Sequence, residues 1–209
     1  MRRDKLLVLV AVLGVLALMP AKASAVTVDF QGGTFGLELL GAGGGPNQWL
    51  VMYTADMTTF NNQVGNSANW DTYINAVAFK VGVEVVAAEV TETTVAGGPG
   101  PWNPVILSGW MSGSGLGCGS GSSDAICADA VLANAPLTAG HIYTWTFLIT
   151  TAGGVPTVYG QPIRAEFMNA AGQHAGLLSM TTAQVPEPTS MMLLGLGLFG
   201  VGVVARKRR

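Results

Sequence analysis

Apolar side chains recur at every second residue through the middle of the chain, and this period constrains the fold more than any other feature. Valine or phenylalanine stands at each odd position from 77 to 85, while Lys80 and Glu84 fall at even positions. Segments 26–30, 49–53 and 143–149 alternate in the same way. A period of two is typical of a β-strand with one face buried.

Further strands are predicted at 35–40, 105–110, 155–161, 163–169 and 177–184, which makes about nine or ten short strands. Gly41 to Pro46 and residues 96–104 are predicted loops, and a phase shift to Val86 predicts a bulge near Val85 or a turn at Gly82. The one segment that suggests a helix, 125–133, is short and rich in alanine. No long helical pattern alternates with the strands, so we expect an all-β fold, an antiparallel β-sandwich or jelly-roll-like single domain.

The N-terminus has the three-part layout of a secretory signal peptide. Arg2, Arg3 and Lys5 precede an apolar run of 14 residues, 6–19, and Ala23-Ser24-Ala25 forms a small-residue cleavage site. A retained membrane anchor would need about 20 apolar residues. We therefore predict a signal peptide at 1–25 that is cleaved after Ala25.

A second apolar segment lies near the C-terminus. Residues 191–205 carry no charge, and with Thr189 and Ser190 they form a marginal transmembrane segment, 189–205. Basic residues that flank such a segment stay on the cytoplasmic side, which places the preceding chain outside. This basic stop-transfer tail comprises Arg206, Lys207, Arg208 and Arg209.

The quartet Val185, Pro186, Glu187 and Pro188, followed by the apolar segment and the Arg-rich end, resembles the PEP-CTERM sorting signal of Gram-negative bacteria. The resemblance covers about the last 25 residues and implies a membrane-embedded exosortase as partner. It also implies a transient stay in the inner membrane and delivery to the cell surface or an exopolysaccharide matrix. Two prolines keep the motif extended, so Glu187 is expected to be read as a substrate residue. A plain C-terminal anchor is the alternative.

The exported segment, 26–184, is strongly acidic. It has two basic residues, Lys80 and Arg164, against ten carboxylates, a net charge of −8. Nucleic acid and anionic membranes need clustered Lys and Arg, so neither is expected as a partner. Contact with an acidic polysaccharide would need neutral sugar faces or a bridging cation.

Cys118 and Cys127 are the only cysteines, and a pair in an exported domain is expected to form a disulfide. A redox-active pair would more typically be Cys-x-x-Cys, and a zinc site would need more Cys or His nearby.

The sequence contains no catalytic motif that we recognise. G-x-S-x-G and H-E-x-x-H are absent, and the only histidines, His141 and His174, lie far apart. We expect no enzyme and no cofactor; a calcium site at Asp124 and Asp129, which flank Cys127, is the one metal hypothesis.

Three functions remain open. The leading one is a structural or adhesive protein of an exopolysaccharide matrix. The alternative is a carbohydrate-binding module, with or without calcium, whose sugar contacts are Trp102, Trp110 and Trp70; for Trp102 a ring that folds back onto the sheet is the competing expectation. A hydrolase with an unrecognised acid pair is the third.

Overall fold

The computed structural model describes residues 25–61, 73–95, 102–106, 110–111, 118–120, 122–130, 135–136 and 140–184. Within these ranges the chain forms fourteen β-strands and no helix. They are β1 (Ala25–Phe30), β2 (Gly33–Ala42), β3 (Gln48–Asp56), β4 (Tyr73–Lys80), β5 (Val85–Thr93), β6 (Trp102–Ile106), β7 (Trp110–Met111), β8 (Cys118–Ser120), β9 (Ala125–Ala130), β10 (Ala135–Pro136), β11 (Ile142–Thr151), β12 (Pro162–Met168), β13 (His174–Thr181) and β14 (Ala183–Gln184). The prediction of an all-β fold is confirmed.

The strands form two main antiparallel sheets. Sheet I has the order β14-β1-β2-β3-β11-β5, and sheet II has the order β13-β12-β4-β9-β6, with β10 also paired to β4. Strands β7 and β8 form a separate two-stranded sheet. Consecutive strands β4 and β5 belong to different sheets, so the chain crosses the sandwich between them.

The core lies between the sheets because alternate residues of each strand point inward. Tyr53, Trp145 and Phe147 from sheet I and Phe79 and Phe167 from sheet II are all fully buried. The rings of Phe79 and Phe147 meet edge to face with centroids 5.0 Å apart, so the two sheets are in direct contact.

The predicted bulge near Val85 is confirmed. Val85 pairs with Thr151 and Ala87 pairs with Thr150, which leaves Val86 as the extra residue. Its side chain is 47% exposed, whereas Ala88 and Val90 pack against the core.

Two predicted elements are wrong. Segment 125–133 was expected to include a helix, but Ala125–Ala130 is strand β9, held between β4 and β6. Tertiary pairing overrides alanine's helix propensity there. Segment 155–161 was expected to be a strand and is a loop, where Val155 is 61% exposed and Pro156 has no N–H to donate.

Boundaries also differ from the predictions at the loops. The predicted loop 96–104 overlaps β6, which begins at Trp102 and includes Pro104. Because β6 is the edge strand of sheet II, the missing proline donor is tolerated. At 41–46, β2 continues through Ala42 before the turn. The predicted strand 105–110 overlaps β6 and β7, and residues 107–109 lie outside the described ranges.

The first and last described strands are neighbours. Val26 of β1 pairs with Gln184 of β14, and Thr27 pairs with Ala183. Thr182, just before β14, is buried, and its hydroxyl donates to the carbonyl of Val158 at 2.8 Å. The first and last residues of the exported segment therefore lie on neighbouring strands at one edge of sheet I.

Candidate functional site

The predicted sorting residues lie outside the described part of the chain. This holds for Val185 to Pro188, for the transmembrane segment 189–205 and for the basic tail 206–209, and also for Trp70. Among the residues that are described, no helix is long and apolar enough to cross a membrane.

The predicted disulfide is confirmed. Cys118 at the start of β8 is bonded to Cys127 of β9, with 5.7 Å between their Cα atoms. Cys127 packs with Ala76, Ala78 and Leu177 in a small cluster apart from the main core. The bond therefore ties the two-stranded sheet of β7 and β8 to the outer face of sheet II.

Trp102 does not serve as an exposed platform for a sugar, which corrects that prediction. Its side chain is only 2% exposed and meets Trp145 edge to face at 5.0 Å. The competing expectation, a ring folded back onto the sheet, describes what is found. Trp110 lies in β7, where its backbone pairs with Ser120.

Asp124 and Asp129 do not form one calcium site. Asp124 directly precedes β9 and Asp129 is the fifth residue of that strand. They are therefore five residues apart, which is about 16 Å along an extended strand. Asp124 Oδ1 lies 3.1 Å from Lys80 Nζ and also accepts a hydrogen bond from Ser122. Among the described residues no group of three His, Cys, Asp or Glu side chains is placed to hold a metal.

Asp129 belongs instead to a polar cluster with Asn75 and Glu166. The Asn75 amide donates to Glu166 Oε2 at 3.0 Å and more weakly to Asp129 Oδ1 at 3.4 Å. Burial, and then the charge of Glu166, raises the pKa of Asp129. Glu166 is 1% exposed whereas Asp129 is only partly buried, so the two carboxyl groups are not both accessible to a substrate.

The histidines do not come together either. His141 precedes β11 and stacks on Tyr143 with ring centroids 6.0 Å apart, and its carbonyl accepts a hydrogen bond from Met57. His174 opens β13 in the other sheet, and both histidines are exposed.

The outer face of sheet I carries a row of threonines. Register places Thr27, Gly36, Thr54 and Thr144 side by side across β1, β2, β3 and β11. The row continues to Thr94 just past β5, whose hydroxyl accepts a hydrogen bond from the Thr144 N–H at 2.9 Å.

A hollow of about 240 Å³ opens where glycine interrupts this row. We call it the Gly36 hollow; its polar lining comprises Thr27, Thr34, Glu38, Thr54 and Asp56. Gly36 forms its floor between the flanking threonines, because it has no side chain.

Hydrogen bonds fix one end of the Gly36 hollow. Thr34 donates its hydroxyl to Asp29 at 2.8 Å. Asp56 Oδ1 accepts from the Thr58 hydroxyl at 2.6 Å and from the Thr58 N–H at 3.0 Å. These bonds from Thr58 lower the pKa of Asp56, so this carboxylate is ionised at neutral pH.

The remaining polar side chains of the hollow lack hydrogen-bond partners among the described residues. Within the described part of the chain, the side chains of Thr27, Glu38 and Thr54 make no hydrogen bond. The alternation of apolar and polar residues does not by itself reveal this hollow. Its sequence signal is weak, a glycine at an outward position of an alternating strand, and only the register shows which side chains surround it.

Comparison with known proteins yields one match to a family model. Residues 184–209 match the PEP-CTERM protein-sorting motif. No curated protein matches the chain.

Two solved structures align with most of the chain at low similarity. One is an uncharacterised protein from Nocardia farcinica described as having an immunoglobulin-like fold, with 13% identity and a TM-score of 0.36 over 79% of this chain and 90% of that one. The other, from Corynebacterium diphtheriae and described as membrane-anchored, has 8% identity and a TM-score of 0.32 over 80% of this chain and 37% of its own. What distinguishes the chain is its tail: residues 184–209 carry the PEP-CTERM protein-sorting motif, which marks an exported protein that an exosortase processes.

Proposed function

We propose that this protein is a non-enzymatic component of the outer surface or exopolysaccharide matrix, with a structural or adhesive role. The observation that carries the proposal is the match of residues 184–209 to the sorting motif. That motif starts at the last residue of β14, which pairs with β1. The sandwich is thus joined directly to its sorting signal.

The described side chains support a non-catalytic role. A glycoside hydrolase needs two accessible carboxyl groups on either side of the bond it cleaves. Asp129 and Glu166 are near one another, but Glu166 is buried and bonded to Asn75. This pair serves better to hold β4, β9 and β12 together than to act on a substrate.

The test is to follow the protein in cells that lack the exosortase and in cells that carry Glu187→Ala. We expect full-length precursor to accumulate in the membrane fraction, and the processed form to disappear from the isolated matrix. Glu84→Ala, an acid-to-alanine change within the sandwich, is the matched control and should be processed as the wild type is. Normal processing and normal matrix recovery without the exosortase would contradict the proposal.

A further inference from the structure

We propose that the Gly36 hollow binds a neutral sugar unit of a polysaccharide. This inference rests on the proposed matrix function and adds a site and a ligand class to it. Four features argue for it: the shape of the hollow, its open hydrogen-bonding groups, its charge and its surroundings on sheet I.

The shape of the hollow depends on the glycine. A Cβ built on Gly36 would lie 3.2 Å from Thr27 Cγ2 and 3.2 Å from the Val26 carbonyl oxygen. Any other residue would therefore both fill the floor and crowd β1. The volume of about 240 Å³ is somewhat below the roughly 300–1,000 Å³ of sites for drug-sized ligands, as expected for a site that takes a small ring.

The lining groups match the hydroxyls of a sugar. Thr27 and Thr54 flank the floor, and each hydroxyl can both donate and accept. The carboxylates of Glu38 and Asp56, at opposite ends of the hollow, accept hydrogen bonds from sugar hydroxyls. Bonds to a charged acceptor are about twice as strong as neutral ones.

The charge of the site selects a neutral ligand. Two carboxylates line the hollow of a segment whose net charge is −8, so a uronate or sulfate group would be repelled.

The spacing of the two carboxylates also argues against a bridging cation. Glu38 pairs with Met52, and Asp56 pairs with Thr34, four residues further along, about 13 Å away. Calcium ligands lie within about 2.6 Å of the ion, and side chains standing on the sheet at this spacing do not converge on one ion.

The surroundings of the hollow favour binding of a polysaccharide chain over binding of a single free sugar. The row continues from Thr54 to Thr144 and Thr94, with strands about 4.8 Å apart. A polysaccharide seated in the hollow can therefore run across β3 and β11 and meet further threonine side chains beyond it.

Binding is to be measured with processed protein recovered from the producing cells. The probes are the neutral and the acidic fractions of those cells' exopolysaccharide, separated by anion exchange. Co-sedimentation should show binding to the neutral fraction, with and without chelator. Thr54→Val and Glu38→Gln should each weaken it, by about tenfold for Glu38→Gln.

Matched controls on the same outer face are Thr150→Val and Glu89→Gln, which lie outside the hollow and should bind as the wild type does. Thermal unfolding of every variant verifies that the fold is retained, and Asp56→Asn serves if either hollow variant fails to fold.

The outcomes separate the two proposals. Equal binding by hollow variants and wild type, binding to the acidic fraction alone, or no binding by a protein that is still found in the matrix would each overturn the sugar site and leave the matrix function standing. Absence of the processed protein from both the cell surface and the matrix would remove the proposed function itself.

Discussion

The hydroxyl of Tyr53 in sheet I donates a hydrogen bond to the carbonyl oxygen of Arg164 in sheet II, across 3.0 Å. Tyr53 is fully buried, and its ring also meets Trp145 edge to face at 5.6 Å. The Tyr53 side chain thus connects the backbone of β12 to the aromatic residues of the core. Most contacts between the sheets are apolar and non-directional, so this bond helps to fix their relative position.

Tyr53→Phe should lower the free energy of unfolding by about 1 kcal/mol, because it removes one hydrogen bond and leaves a buried carbonyl without that donor. For a protein of this size, the thermal midpoint should fall by roughly 2–4 °C. Tyr159→Phe is the control, since the Tyr159 hydroxyl makes no hydrogen bond in the described part of the chain. Equal shifts in both variants would contradict a special role for Tyr53.

Tyr53 should also make the folded state less stable at alkaline pH. Burial raises the pKa of Tyr53 well above its usual value of 10.0. The folded state therefore retains a proton that the unfolded state releases, and stability that is complete below pH 10 is lost as the pH rises above it. Thermal midpoints between pH 9 and 11.5 should fall more steeply for the wild type than for Tyr53→Phe; parallel curves would refute the assignment.

Removing the disulfide by the double change Cys118→Ser and Cys127→Ala should cost about 2.5–3 kcal/mol, the loop-closure entropy of a ring of about ten residues. The thermal midpoint should fall by roughly 5–12 °C. The wild type in reducing buffer should show the same loss, and the double variant should be insensitive to reductant. A small loss in both cases would mean that β8 holds its place without the bond.

Gly32 should tolerate substitution less well than Gly140. Both have positive φ, 79° and 83°, so alanine costs about 1 kcal/mol at either position. At Gly32 the added Cβ would also lie 2.5 Å from the carbonyl oxygen of Thr59, whereas at Gly140 no atom of the described residues lies within 4 Å. Gly32→Ala should therefore lose about 1–3 kcal/mol more than Gly140→Ala in denaturant unfolding. Equal losses would show that the turn near Thr59 relaxes freely.

Lys80→Met should destabilise the sandwich by roughly 0.5–1 kcal/mol at pH 7, since Lys80 is only partly buried where it pairs with Asp124. Partial burial alone would raise the pKa of Asp124, but the hydrogen bonds from Ser122 and Lys80 and the Lys80 charge lower it. The contribution is therefore present above the unfolded-state pKa of about 3.9 and is lost as the pH falls below it. The gap between the unfolding curves of variant and wild type should narrow below pH 4; a constant gap would point to packing by the lysine stem.

The sequence correctly predicted those elements whose structure is determined by their own residues. Alternation in 49–53 and 143–149 appears as buried Tyr53, Trp145 and Phe147, and two cysteines in an exported segment suffice for a disulfide. The helix predicted within 125–133 failed because pairing with β4 and β6 outweighs the helix propensity of its alanines. The register between strands could not be predicted from the sequence either. The Gly36 hollow depends entirely on that register, because it is formed by the residues of β1 and β3 that flank one glycine.

The pairing of Val26 with Gln184 brings the two borders of the sandwich together at one edge of sheet I. The predicted signal peptide ends at Ala25 and the matched sorting motif begins at Gln184, so both segments would join the sandwich on neighbouring strands. The turns at Gln31–Gly32 and at Gly140–His141 lie at the far ends of β1 and β11 from this junction. A polymer bound in the Gly36 hollow, which Ala25 and Val26 help to line, would therefore lie beside the point where both segments join the sandwich.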